Sequence, residues 1–123
     1  MGELNITKRQ VQGVVIIDLA GKIALGDSNR QLHDSIRELI QEDKKNLLIN
    51  LANITTIDSS GLGELVASYA SVEKNGGAMK LYNLPERVIE LMTITKLYTV
   101  FDIFESEADA VASFASATEA SAG

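Results

Sequence analysis

Ile54-Thr-Thr-Ile-Asp-Ser-Ser-Gly-Leu-Gly-Glu-Leu65 decides how the rest of the chain is read. The apolar run Leu47-Leu-Ile-Asn-Leu51 leads into it, as a buried strand does. Leu62, Leu65, Val66 and Tyr69 follow at helical spacing and form one apolar face. Between strand and helix lie an acid, two serine hydroxyls and two glycines. The stretch is therefore a polar loop, with Ser59 and Ser60 at or just before a helix N-terminus.

Outward from this unit the same alternation repeats. Upstream, residues 4–11 alternate loosely, as an edge strand does, and Gly13 marks a turn. Val14-Val-Ile-Ile-Asp-Leu19 reads as a central strand that Ala20-Gly21 breaks, and Lys22 to Leu25 as a short extended segment. Gly26-Asp27 opens a helix, with Ser28 and Gln31 at capping-box spacing and Leu32, Ile36, Leu39 and Ile40 as its stripe. Ala52-Asn53 is a bulge or turn before Ile54. Downstream, Asn75-Gly76-Gly77 ends the second helix and Met79 to Tyr82 is a strand. Pro85 suits the first turn of a third helix, whose inner face is Val88, Leu91 and Met92. Val100 to Phe104 is a last strand. Ser106 and Asp109 then cap a final helix with the stripe Ala108, Val111, Ala112 and Ala115. This order implies an α/β fold, a mixed sheet of four to five strands with about four helices covering one face. A single domain over 1–116 and a flexible tail over 117–123 are expected.

Composition narrows the function. At 123 residues the chain supports one core, and its 46% hydrophobic and 23% charged residues are those of an ordinary globular protein. The apolar runs are too short to span a bilayer, and the start of the chain lacks the pattern of a signal peptide, so a cytoplasmic protein with no membrane role is expected. The net charge of −6 repels phosphates and no basic stripe offsets it, so direct nucleic-acid binding is not expected. Without cysteine there is no disulfide or thiol chemistry.

The loop's chemistry is limited by its neighbours. A nucleophile elbow needs glycine two places before its serine, where Ile57 and Asp58 stand, and the only histidine is His33. No acidic or histidine cluster has metal-ligand spacing, and Gly61-Leu-Gly63 lacks the rest of a phosphate cradle. No metal or cofactor is expected. Gly63 reads as a point of close approach between helix and strand, and Gly61 remains open. One serine suffices as an N-cap. An exposed second serine is a feasible phosphoacceptor, because a helix N-terminus tolerates a phosphate and the added charge changes the surface beside Asp58.

Ile57-Asp-Ser-Ser-Gly-Leu-Gly63 closely resembles the phosphorylation loop of bacterial anti-sigma factor antagonists, which are STAS domains (a fold shared with sulfate transporters). Ile17-Asp-Leu-Ala-Gly21, Leu47 to Leu51, Gly76-Gly77, Met79 to Leu81, Pro85, Leu91 and Leu97 extend the match over about residues 4–115. The resemblance implies a non-enzymatic partner switch. The unphosphorylated protein binds an anti-sigma factor that is also a serine kinase, and so releases a sigma factor. Phosphorylation of Ser59 ends the binding and a phosphoprotein phosphatase resets it. Asp58, Ser60, Gly61, Leu62 and Gly63 are then the partner-binding loop, with Asp27 approaching the same surface. One departure stands out: where the family has Gly-Glu-Leu-Asp, this chain has Gly21-Lys-Ile-Ala24, without the acid. The alternative is a STAS scaffold subunit of a signalling assembly or lipid-transport complex, with no role for phosphate. The edge strand at 4–11 offers pairing between chains as a weak homodimer.

Overall fold

Val14–Ile17 and Leu47–Ile49 are apolar at every position instead of every second one, because their strands are buried on both faces. A computed structural model describes the backbone of residues 4–122 and the side chains of residues 4–115. Five strands, β1 (Leu4–Val11), β2 (Val14–Ile23), β3 (Asn46–Ile57), β4 (Ala78–Tyr82) and β5 (Ile103–Phe104), form one sheet in that order. β1 is the antiparallel edge strand, and the other neighbours pair in parallel. The helices are α1 (Asp27–Gln41), α2 (Ser59–Lys74), α3 (Glu86–Thr95) and α4 (Glu107–Ala122).

Each parallel crossover steps one strand the same way across the sheet. Their shared right-handedness puts all three crossover helices on one face. There Val15, Ile17, Leu19, Leu47, Ile49 and Leu51 meet Leu32 and Ile36 of α1, Leu62 and Leu65 of α2, and Val88 and Met92 of α3. The expectation of helices on one face only is corrected by α4. It covers the opposite face, where Ala110, Val111 and Phe114 pack on Val14, Ile16, Leu48 and Tyr82. The expected α4 stripe is corrected with it, since Ala108, Ala112 and Ala115 are exposed. Burying the ring of Phe114 removes far more apolar surface than a row of alanine methyls, and the helix is turned accordingly.

Further local readings change. Ala20-Gly21 does not break β2, which runs on to Ile23. Gly21, at φ 111°, absorbs the register shifts that β3 imposes there, and the first shift, opposite Asn50 to Asn53, holds the expected bulge. Ser28 and Gln31 form no capping box: Gly26 precedes α1 without a side-chain cap. The Ser28 hydroxyl instead donates to Ala24 O at 2.9 Å and accepts from Ala24 N at 3.0 Å. Pro85 stands one residue before α3, its carbonyl accepting from Val88 N and Ile89 N at 3.0 Å. The last strand shrinks to Ile103–Phe104, because Phe101 leaves the strand line for the core and packs edge-on against Tyr69 at 5.2 Å. The Ser106 cap is present, its hydroxyl accepting from Asp109 N at 3.2 Å. The expected tail, 117–123, lies outside the residues described in side-chain detail.

α4 is also held by charge. Arg9 Nε reaches Asp18 Oδ2 at 2.7 Å and its Nη2 reaches Glu107 Oε1 at 2.6 Å. The Tyr82 hydroxyl donates to Glu107 at 2.7 Å and Asn50 to Asp18 at 2.8 Å. The Arg9 guanidinium holds both carboxyls below their ordinary range, while burial and then Glu107 push Tyr82 up to about 12. The unfolded chain takes protons at these carboxylates more readily than the folded one. Their stabilisation is therefore full above the ordinary carboxylate range and is lost as pH falls through the lowered values. Urea midpoints should fall as pH drops below the ordinary carboxylate range, and Arg9→Met should flatten part of that slope. An unchanged slope in Arg9→Met would mean that the cluster does not clamp α4.

Candidate functional site

In parallel strands the carboxyl ends all open on the same edge of the sheet, where loops gather. β2 and β3 are parallel neighbours, so the loop after Ile23 and the loop after Ile57 meet there. Asp58 N donates to Ile23 O at 3.3 Å and Leu25 N donates to Asp58 Oδ2 at 3.3 Å. The sheet itself thus brings residues 24–29 against the Asp-Ser-Ser loop.

Asp58, and neither serine, caps α2. Its Oδ1 accepts from Gly61 N at 2.8 Å and from the Ser60 hydroxyl at 2.7 Å. The Ser60 hydroxyl, followed by the N–H groups of Gly61, Leu25 and Ser60, holds the carboxyl below the usual carboxylate range, against a smaller opposing effect of burial. Asp58 is consequently an anion that consumes the donors at the helix start. Ser60 is half-buried and also accepts from Asn29 Nδ2 of α1 at 3.2 Å. Ser59, the first residue of α2, is exposed, and its hydroxyl makes no hydrogen bond among the described residues.

The glycines exchange roles relative to expectation. A Cβ on Gly61 would overlap Ile23 O and lie 2.8 Å from Ile23 C and 2.9 Å from its Cγ2. A Cβ on Gly63 would meet nothing within 4 Å among the described residues. Gly61 is therefore the point of close approach, and Gly63 lies open on α2. Leu62, expected at the partner surface, turns its side chain into the core at 2% exposure. Asp27 starts α1 with its carboxylate in solvent, 4.0 Å from Arg30, and forms no hydrogen bond with Asp58, Ser59 or Ser60.

His33 does not join either serine. Its Nδ1 lies 3.3 Å from Glu64 Oε2, which also accepts from Ser68 at 3.1 Å, so the pair bridges α1 and α2 beyond the loop. A groove of about 350 Å³ continues along the two helices from there, floored by Ile36 and Ile40 and rimmed by Arg37 and Asn75. Among the described residues no cluster of three or more potential ligands could hold a metal, and no helix is long and apolar enough to cross a membrane.

The geometry can now be set beside known proteins. A family model for the STAS domain matches residues 5–110. The chain belongs to the STAS domain family. This STAS domain is 34% identical over 100 residues to the anti-sigma-B factor antagonist of Bacillus subtilis (strain 168), covering 81% of this chain and 90% of that one. Its fold matches the crystal structure of an anti-sigma factor antagonist from Mycobacterium paratuberculosis at a TM-score of 0.76 and 19% identity, over 89% and 92% of the two chains. It also matches the Bacillus cell fate determinant SpoIIAA in its phosphorylated form, at a TM-score of 0.70 and 18% identity, over 89% and 99%. At such identities the two structures speak for the fold.

Sequence reasoning missed two residues of this STAS domain's loop region. Leu25 is 83% exposed, an isolated apolar side chain beside the Asp58 carboxylate. It continues the alternation of Leu19 and Ile23, and so reads as one more inward strand residue, whereas β2 ends at Ile23. Asn29 left no trace, since a polar residue on an exposed helix turn is unremarkable until its partner is known.

Proposed function

We propose that this STAS domain is a non-enzymatic, cytoplasmic anti-sigma factor antagonist, switched by phosphorylation of Ser59. In the unphosphorylated state it binds an anti-sigma factor serine kinase and so releases a sigma factor. The kinase transfers phosphate from ATP to Ser59, binding ends, and a phosphoprotein phosphatase restores the first state. Its relative in Bacillus subtilis carries the name anti-sigma-B factor antagonist, which supports this role.

The observation that carries the reading is the exposed hydroxyl of Ser59, unbonded among the described residues, beside an Asp58 that already accepts from Gly61 N and the Ser60 hydroxyl. A phosphate there adds about −1.5 to −2 charge next to a fixed anion without breaking any side-chain bond of the folded state. Asp58, Ser60 and the exposed Leu25 form the contact surface around it. Leu25 is an apolar anchor in a region from which the family's acid is missing at Ala24. Incubation with the cognate kinase and ATP, followed by mass-spectrometric mapping, tests the assignment. Phosphate is expected on Ser59. Phosphate on Ser60 alone would overturn the choice of acceptor, and none on either serine would favour a scaffold.

A further inference from the structure

Two serines stand side by side at the start of α2, and an enzyme that modifies one of them must distinguish it from the other. Their hydroxyls differ sharply. Ser60 donates its proton to Asp58 Oδ1 at 2.7 Å, accepts from Asn29 Nδ2 at 3.2 Å, and is half-buried at the seam of α1 and α2. Ser59 is exposed and unbonded among the described residues. Asn29 is itself unusual, because its Oδ1 is buried with no hydrogen-bond partner among the described residues. The bond to Ser60 is the amide's one side-chain hydrogen bond among the described residues. A buried unpaired carbonyl oxygen is unfavourable, so a residue that served packing alone would do better without the amide.

We propose that Asn29 is a positioning residue that confines phosphorylation to Ser59 by masking Ser60. This rests on the reading of Ser59 as the acceptor. In the transfer a serine Oγ attacks the γ-phosphorus of ATP, and the new Oγ–P bond replaces the bond to the ADP oxygen. The hydroxyl proton passes to a base on the kinase. The attacking oxygen needs a lone pair turned towards ATP and a proton within the kinase's reach. Ser59 has both. On Ser60 one lone pair is held by Asn29 and the proton points at Asp58.

Asp58 does not activate Ser60 in place of the kinase base. Its carboxylate already receives the N–H groups of Gly61 and Leu25, which stabilise the anion and make it a poor proton acceptor. A phosphate on Ser60 would also remove the proton donated to Asp58 and sit directly against that anion. The clasp ties α1 to the start of α2 through one hydroxyl.

The test uses the full chain, the cognate kinase and ATP, with the phosphate on each serine counted by fragmentation mass spectrometry. Asn29→Ala should leave phosphorylation of Ser59 in place and raise the share on Ser60 by about fivefold or more, the factor that one neutral hydrogen bond supports. In the Ser59→Ala background the phosphate on Ser60 should be slight, and adding Asn29→Ala should raise it by a similar factor. Phosphate confined to Ser59 in Asn29→Ala, together with an inert double variant, overturns the masking role. No phosphate on any variant overturns the acceptor reading, and this inference with it. A measurement without kinase or mutation stands beside these. The Ser60 hydroxyl proton should be protected from solvent exchange by NMR and that of Ser59 should not, and rapid exchange at Ser60 would also sink the clasp.

Discussion

Gly61→Ala is expected to destabilise the domain by about 3 kcal/mol or more, while Gly63→Ala, two residues on in the same helix, is expected to stabilise it by up to about 1 kcal/mol. The methyl on residue 61 would enter the space of the Ile23 carbonyl oxygen and lie 2.8 Å from its carbon. That neighbour is backbone, fixed by the β2–β3 ladder, and the bond from Asp58 N to Ile23 O lies in the same place. Nothing there can rotate aside, so either α2 lifts away from β2 or the ladder frays. At position 63 the added Cβ meets nothing within 4 Å, and alanine only removes the entropy that glycine loses in a helix. Urea midpoints of the two variants, with m-values to confirm two-state unfolding, give the comparison. Equal effects at the two positions would show that α2 does not press on β2 at Gly61.

Ser59→Asp should weaken binding to the anti-sigma factor kinase by about 100-fold, equivalent to about 2.7 kcal/mol, with the melting temperature shifted by no more than about 2 °C. The stability half follows from the structure: Ser59 is exposed, loses no side-chain hydrogen bond and sits in a first helical turn, where a carboxylate is favourable. The binding half follows from charge. Asp58 is already an anion, and a second one beside it alters the surface that surrounds Leu25. Titration calorimetry against the kinase, with Ser59→Ala as control, separates charge from loss of the hydroxyl. Wild-type affinity in Ser59→Asp would leave the electrostatic switch without support.

The sheet and its helices were legible because their signals are redundant. The stripe Leu32, Ile36, Leu39 and Ile40 and the unbroken runs at Val14 and Leu47 each specify one element, and the crossover rules assemble them. The readings that failed concern single residues whose roles depend on a distant backbone. Ser28 has the spacing of a cap but finds Ala24 closer. Gly61 and Gly63 look alike in sequence, and only the position of Ile23 tells them apart. The second face escaped notice because α4's alanines mimic a stripe, whereas the helix is turned to bury Phe114 with Ala110 and Val111. At the loop, Asp-Ser-Ser-Gly marked where β3 ends and α2 begins, but the bonding of Asp58 and Ser60 depends on partners about 30 residues away in sequence, Leu25 and Asn29.

The meeting of two loops at one edge of the sheet has a consequence for how such proteins diversify within one cell. Asp58 and Gly61 are pinned against Ile23 of β2, so the start of α2 admits little variation. Residues 24–27 carry the exposed Leu25 and Asp27, which bury no apolar surface in the core and are free to change. Related copies of this domain can therefore share one geometry at the start of α2 and still differ in the short loop after β2, which, on the proposed function, would let each kinase answer to its own antagonist.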